Sequence, residues 1–213
     1  MTIDNARNLM AIIDRDVNGL QCQAIERNRV AGALYDIAHD HGKAIVVLIE
    51  TKIYASAFTL VRPLFESYVR AAWIHYCASN DEIQSFISND KIPRFISKEI
   101  RKGVCSQMLS EVEQKNDFPE TLSKILDNNF KAMCSYTHGG IFPIFRRLTE
   151  NSIEPVFGDQ EIDEVIRFTS FISFLSFCGI VNLTKSDEKT EKLHELRRWV
   201  KTWCFDLGMS KKG

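Results

Sequence analysis

Three charged residues lie at four-residue intervals within an otherwise apolar stretch, and they are the first candidates for chemistry. Arg62, Glu66 and Arg70 occupy positions i, i+4 and i+8, which share one face of an α-helix. Phe65 and Trp73 lie between and beyond them and favour a core on another face. Charges on such a helix need partners, because burying an unpaired charge costs free energy. The row predicts either a polar pocket between helices or a ladder of ion pairs.

A second candidate is the segment CSYTHGG at positions 134–140, in which His138 precedes two glycines. The glycines predict a helix end and allow another chain or a substrate to approach the backbone closely. His138 is then either a helix cap or a general acid/base and phosphate contact. Cys134 lies one helical turn earlier and suggests a thiolate–imidazole pair as a weaker alternative.

Metal-binding and phosphate-binding alternatives rest on sparser patterns. Asp36-x-x-His39 and Glu191-x-x-His194 have the spacing of half-sites in di-iron helical bundles, but such a site needs further inward carboxylates. Basic residues cluster in the middle of the chain, where they form either a solvated face or a phosphate contact. The members of this basic cluster are Arg94, Lys98, Arg101 and Lys102.

The two candidate segments together resemble an uncharacterised bacterial family of helical proteins. The sequence RPLFE at positions 62–66, followed by Arg70 and Trp73, is similar to an RPxxE signature, and YTHGG at 136–140 is similar to a second signature. The resemblance covers about residues 20–185. An R-x-x-x-E helix with a later histidine is also similar, on fewer residues, to helical proteins near the HEPN superfamily.

The HEPN resemblance implies a metal-independent endoribonuclease, because many HEPN proteins are nucleases of toxin–antitoxin and phage-defence systems. A cation stabilises the phosphorane and an imidazole moves the proton, without a cofactor. The resemblance implies catalytic roles for Arg62, Glu66, Arg70 and His138. In the usual signature, four to six residues separate an arginine from the histidine that follows it. Lys131 stands there instead.

Only one arginine–histidine pair in this region has the HEPN spacing. Arg70 and His75 satisfy it, but residues five apart lie about 140° apart around a helix. Such a short match also arises by chance. We therefore expect Arg62, Glu66 and Arg70 on one helix to face His138 on another helix.

The resemblance also implies how RNA is held and what the protein assembles with. It assigns substrate binding to Tyr136, Thr137, Gly139 and Lys131, and it implies a homodimer and an antitoxin or other partner protein. The rival hypothesis is a non-catalytic helical protein that dimerises or binds a partner. It predicts that Arg62, Glu66 and Arg70 are engaged in structural ion pairs and that His138 only caps its helix.

Size and composition predict one domain over residues 1–213 in the reducing cytoplasm. The chain is 45% hydrophobic and 26% charged, as in ordinary globular domains. Six widely spaced cysteines without a CxxC motif disfavour a disulfide scaffold or a zinc ribbon. The N-terminus has no long apolar run, so no secretory signal is predicted. The net charge of −1 provides no global attraction to nucleic acid.

Helical periodicity throughout the chain predicts an all-α, single-domain multi-helix bundle, which is HEPN-like if the resemblance holds. Residues 43–78 read as one helix with Pro63 as a kink or first turn, and Gly42 ends or bends the helix before it. Ser79 and Glu82 form a predicted capping box. The remaining helices are predicted at about 4–17, 21–39, 93–101, 104–114, 119–138, 142–148, 159–183 and 187–206.

The most apolar segment, residues 168–183, is shorter than the roughly 20 residues that span a bilayer. It contains several Ser and Thr residues and favours a core helix, with membrane insertion as the alternative. A row of phenylalanines runs along it and predicts core packing or a dimer interface more than a base-stacking platform. The row comprises Phe168, Phe171, Phe174 and Phe177.

Overall fold

A computed structural model describes residues 2–92, 103–115, 121–149, 151–184 and 187–204, and these residues form nine helices. The helices in chain order are α1 (Thr2–Val17), α2 (Glu26–Glu50), α3 (Tyr54–Tyr76), α4 (Asn80–Asn89), α5 (Val104–Lys115), α6 (Thr121–Thr137), α7 (Ile141–Phe145), α8 (Asp159–Thr184) and α9 (Asp187–Cys204). Within the described ranges, β-pairing is limited to an isolated bridge between Leu148 and Ile153. The prediction of an all-α multi-helix protein is confirmed.

The core lies where α8 packs on the hairpin formed by α2 and α3. Helices α2 and α3 form a hairpin, and α8 packs against α1, α2, α3 and α9. Helices α5 and α6 cover another side of α3, and α7 packs on α6. Trp73, Phe65, Tyr35 and Phe177 are among the largest fully buried side chains. Their burial removes apolar surface from water, which is the main driving force for the fold.

Helix α8 is the one described helix that is long and apolar enough to cross a membrane by length and composition. Its row of phenylalanines, however, faces other helices of the protein. Phe174 and Phe177 are buried, and the Phe168 ring lies 5.8 Å from that of Phe65. The structure thus places α8 as a core helix, as the sequence predicted for this segment.

The prediction of one helix over residues 43–78 is wrong, because the chain turns between α2 and α3. Lys52 adopts a left-handed φ of 61°, and Ile53 N donates to the Leu48 carbonyl at 2.7 Å. The Thr51 hydroxyl also donates to the Val47 carbonyl at 2.9 Å. These bonds satisfy the last carbonyls of α2. The turn uses neither glycine nor proline, so no sequence signal marked it.

Gly42 was predicted to end or bend a helix, and this is also wrong, because it lies within the continuous α2. A Cβ at Gly42 would come 2.2 Å from Ser173 Oγ on α8. Similarly, a Cβ at Gly179 would come 2.3 Å from the Tyr35 ring. These two pairs show that α2 and α8 run antiparallel. Glycine is required at both positions, because the close approach of α2 and α8 leaves no room for a Cβ atom.

Several predicted helix ends are present, and one depends on a residue from a neighbouring helix. Ser79 and Glu82 form the predicted capping box at α4. At α6, the carboxylate of Glu113 from α5 accepts the backbone N–H groups of Leu122 and Ser123 at 3.0 and 3.2 Å. Glu113 is buried, so this cap also fixes α6 against α5. The predicted helix at 93–101 lies outside the described residues.

Candidate functional site

Pro63 lies inside α3 and creates the contact that joins the two candidate segments. Proline has no N–H, so the Thr59 carbonyl one turn earlier has no helical donor. The Thr137 hydroxyl of α6 lies 3.5 Å from that carbonyl. In return, the Thr59 hydroxyl lies 3.2 Å from the Tyr136 carbonyl in the last turn of α6. Each hydroxyl also makes a shorter bond of 2.9 Å within its own helix, to the Met133 and Ala55 carbonyls respectively, so the RPxxE and YTHGG segments meet through shared hydroxyl contacts.

Arg62 is the central residue of the site, because its guanidinium reaches four side chains on two helices. Its Nε donates to Glu66 Oε1 at 2.7 Å on the same helix. Its Nη1 lies 2.8 Å from His138 Nε2 and 3.3 Å from Cys134 Sγ on α6. The guanidinium carbon also stands 5.6 Å from the centre of the Phe130 ring. Stacking and forked hydrogen bonding are interactions for which arginine is specifically suited.

The contact assigns a role to His138 Nε2 in this arrangement. A guanidinium has only donors, so Nε2 is the acceptor of the bond from Arg62. The side chain of Arg62 is largely buried at 21% exposure, whereas His138 is exposed. Burial opposes the charged form of Arg62, but the bond to Glu66 raises its pKa, so the guanidinium stays charged.

The outer part of the charged row turns towards α4 and α5. The Arg70 guanidinium stands 5.6 Å from the centre of the Phe86 ring of α4. Cys105 of α5 lies within electrostatic range of Glu66 and of both arginines. Burial, assisted by the charge of Glu66 and opposed by the two arginines, raises the pKa of the Cys105 thiol to about 12. A thiol with so high a pKa is no nucleophile at neutral pH.

The two glycines after His138 serve the turn of the chain itself. Gly139 has a left-handed φ of 64°, and Gly140 N donates to the Ser135 carbonyl at 2.7 Å. A Cβ at Gly139 would meet nothing within 4 Å, whereas one at Gly140 would lie 3.0 Å from Ser135 Cα. Backbone conformation thus requires the first glycine, and close backbone packing requires the second.

The predicted substrate-binding residues separate into two groups around α6. Lys131 is exposed and lies seven residues before His138, so both side chains share one face of the helix. The Thr137 hydroxyl contacts α3, and Gly139 forms the turn that follows α6. Tyr136 faces the other way, and its ring lies 5.1 Å from that of Phe58.

Behind Tyr136, a cavity of about 380 Å³ lies between α3, α6, α7 and α8. We call it the aromatic cavity, and it opens on the face of α6 opposite His138. Its lining is mostly apolar, with charged residues from the α7 and α8 regions. The lining residues are Phe58, Val61, Ile125, Asn129, Ala132, Met133, Tyr136, Phe142, Arg146, Glu161, Glu164, Val165 and Phe168. The sequence analysis missed this site, because its residues come from distant segments with no shared motif.

The metal-binding alternative receives no geometric support within the described ranges. There, no three His, Cys, Asp or Glu side chains lie together as metal ligands. His39 is buried and its Nε2 bonds instead to Asp14 at 3.2 Å. The predicted basic cluster at positions 94–102 lies outside the described residues.

The comparison with known families identifies the chain at the level of family. A model of DUF6988, described as a family of unknown function, matches residues 35–204. The chain belongs to this family. The matched region contains both candidate segments, so the predicted membership of an uncharacterised family is confirmed. No curated protein and no solved structure matched the chain.

Proposed function

We propose that this DUF6988 protein acts on RNA as a metal-independent endoribonuclease, with Arg62 and His138 at the reacting phosphate. The 2.8 Å contact between the Arg62 guanidinium and His138 Nε2 carries the proposal. It joins a phosphate-binding cation to an exposed imidazole on separate helices, which is the pair that HEPN-like chemistry requires. Lys131 on the same face as His138 supplies a further phosphate contact.

A bound phosphate changes the partners of both residues. Its oxygens accept hydrogen bonds from the Arg62 guanidinium, and a phosphate is a stronger acceptor than an imidazole. His138 Nε2 is thereby released and can take the proton of the RNA 2′-hydroxyl. The 2′-oxygen attacks phosphorus to form a 2′,3′-cyclic phosphate while the P–O5′ bond breaks, and the 5′-oxygen leaves with the proton that His138 took up. Arg62 stabilises the extra negative charge of the transition state.

Glu66 and Arg70 have supporting roles in this proposal. Glu66 holds Arg62 through Nε and leaves Nη1 in contact with His138 and Cys134. It is therefore a positioning residue. Arg70, which stacks on Phe86, contributes positive charge next to Glu66. A toxin or phage-defence role in the cytoplasm is the cellular setting that fits cleavage of RNA.

The direct test uses purified protein, a labelled single-stranded RNA and EDTA. We expect cleavage by the wild type and loss of more than about 100-fold in rate for His138→Gln. His194→Gln is the matched control, since this histidine is exposed on α9. An RNA with one 2′-deoxy position should resist cleavage at that position alone. Intact RNA with the wild type, or equal cleavage by His138→Gln, would overturn the proposal.

The second candidate function is that of a homodimer or partner-binding protein, and an exposed apolar surface favours it. Six apolar side chains around α7 and the bridge that follows are at least 46% exposed, and that of Ile153 is 84% exposed. We call this the 141–156 surface: Ile141, Ile144, Phe145, Leu148, Ile153 and Val156. Contiguous apolar patches of this kind mark interaction sites.

Self-association is measured by analytical ultracentrifugation of the wild type and of Phe145→Lys with Ile153→Lys. We expect a dimer for the wild type and a monomer for the double variant. Val47→Lys is the matched control, because Val47 is 55% exposed on α2. A monomeric wild type would argue against the dimer, as would equal disruption by Val47→Lys.

A further inference from the structure

We propose that the aromatic cavity binds a small organic cation with apolar substituents. Its volume of about 380 Å³ lies within the range of small-molecule sites in proteins. It is separated from the Arg62–His138 contact by the thickness of α6, so the proposal is independent of the proposed RNA chemistry. The walls and the charges at the cavity together select the ligand class.

The walls include aromatic side chains from four different helices. Phe58 of α3, Tyr136 of α6, Phe142 of α7 and Phe168 of α8 line the cavity. The face of an aromatic ring carries negative potential and attracts a cation within about 6 Å. Alkylated ammonium groups suit such walls, because their apolar surface packs on the rings while their charge is attracted to them.

The charged lining adds a net negative charge to these walls. Arg146 forms an ion pair with Glu161, so the charges of these two residues offset each other. Glu164 accepts a hydrogen bond from Gln160 Nε2 at 2.9 Å, and this neutral partner leaves the carboxylate charge in place. In the described part of the chain, the solvent-exposed carboxylate of Glu164 adds one negative charge beside the aromatic rings, which attracts cations and repels carboxylates and phosphates.

The ion pair at the cavity is itself held by the backbone. Glu161 accepts the N–H of Gly158 at 3.2 Å, while its other oxygen meets Arg146. Arg146 therefore has a fixed anionic partner before any ligand arrives. The Glu161 carboxylate offsets the charge of Arg146, which weakens the attraction of an anionic ligand to this guanidinium and leaves a cationic ligand unopposed by it. The arrangement favours the cation for this second reason.

Isothermal titration calorimetry with three probes of similar size tests the charge preference. Benzyltrimethylammonium is the cation, benzyl alcohol the neutral probe and phenylacetate the anion. We expect the cation to bind at least tenfold more tightly than the other two. Equal binding of all three probes, or no binding of the cation, would overturn the proposal.

Two variants locate the binding site. Glu164→Gln removes the charge while keeping the shape, and Phe142→Leu removes a ring face while keeping an apolar side chain. Each should weaken cation binding roughly three- to tenfold. Glu191→Gln makes the same charge change at an exposed position of α9 and should leave binding unchanged. Binding that survives both cavity variants, with circular dichroism showing intact helices, would place the cation elsewhere and refute the site.

Discussion

Two helix contacts in this protein are built on opposite principles. Helix α8 approaches α2 so closely that glycines at positions 42 and 179 are required by Ser173 and by the Tyr35 ring. Helix α6 meets α3 through hydroxyl and guanidinium groups at Thr59, Thr137 and Arg62, and it leaves a cavity on one side. The α2–α8 contact is tightly packed around small residues, whereas the α3–α6 contact is polar and partly open.

This difference suggests a division between stability and function. Close packing in the α2–α8 contact stabilises the fold through dispersion and apolar burial. A substitution that changes side-chain volume there should therefore lower stability. The polar groups of the α3–α6 contact are partly buried and contribute little net free energy, yet they are the groups that can meet a ligand. Substitutions in the two contacts should therefore differ in what they damage.

The largest expected effect on stability is at Gly179. In Gly179→Ala, the new methyl group would overlap the buried Tyr35 ring, and overpacking of this kind costs about 2–3 kcal/mol. Gly32→Ala is the matched control on α2, since its Cβ would lie 3.7 Å from Leu183, an ordinary contact. It should be neutral or stabilising by up to about 1 kcal/mol, because alanine favours helix. Urea unfolding of both variants measures the contrast, and equal effects would break the comparison.

A smaller effect should appear on acidification, through His75 beside the tightly packed contact. Burial, together with the charge of Arg27, lowers the pKa of His75 to about 4 from an ordinary value near 6.5. The unfolded chain therefore binds a proton between about pH 6.5 and pH 4 that the folded chain does not. Stability must fall as the pH falls through this window.

The comparison of urea midpoints at pH 7 and pH 5 measures the His75 contribution. The wild type should lose about 1 kcal/mol more than His75→Gln, since the half-buried ring is partly screened by solvent. Burial also lowers the pKa of His39, so the variant retains some pH dependence of the same sign. Identical pH dependence in the two proteins would show that His75 does not contribute.

The smallest expected effect on stability is at Arg62. Arg62→Gln should change the free energy of unfolding by less than about 1 kcal/mol, because its partners Glu66 and His138 are accessible to solvent. The same variant should abolish RNA cleavage if the proposed chemistry holds. Paired unfolding and cleavage assays give both readouts. A stability loss above about 2 kcal/mol would show that Arg62 is primarily structural.

Local signals in the sequence were sufficient for most of the helices and some of their ends. The capping box at Ser79 and the glycine stop at Gly139 depend on residues only a few positions apart. The apolar composition of α8 likewise predicted a core helix. The turn at Lys52 escaped prediction, because a left-handed lysine has no sequence signature and its conformation is imposed by the α2–α3 hairpin.

The sequence by itself also identified Arg62, Glu66 and His138 as candidates, from residue type and spacing. The resemblance implied that the charged row faces His138, but only the tertiary structure decided that Arg62 makes the contact, that Tyr136 faces a cavity, and that Gly42 serves helix packing. The physical reason is the same in each case. These features depend on which helix faces meet, and that is set by packing between segments far apart in the chain, whereas periodicity and capping act within a few residues.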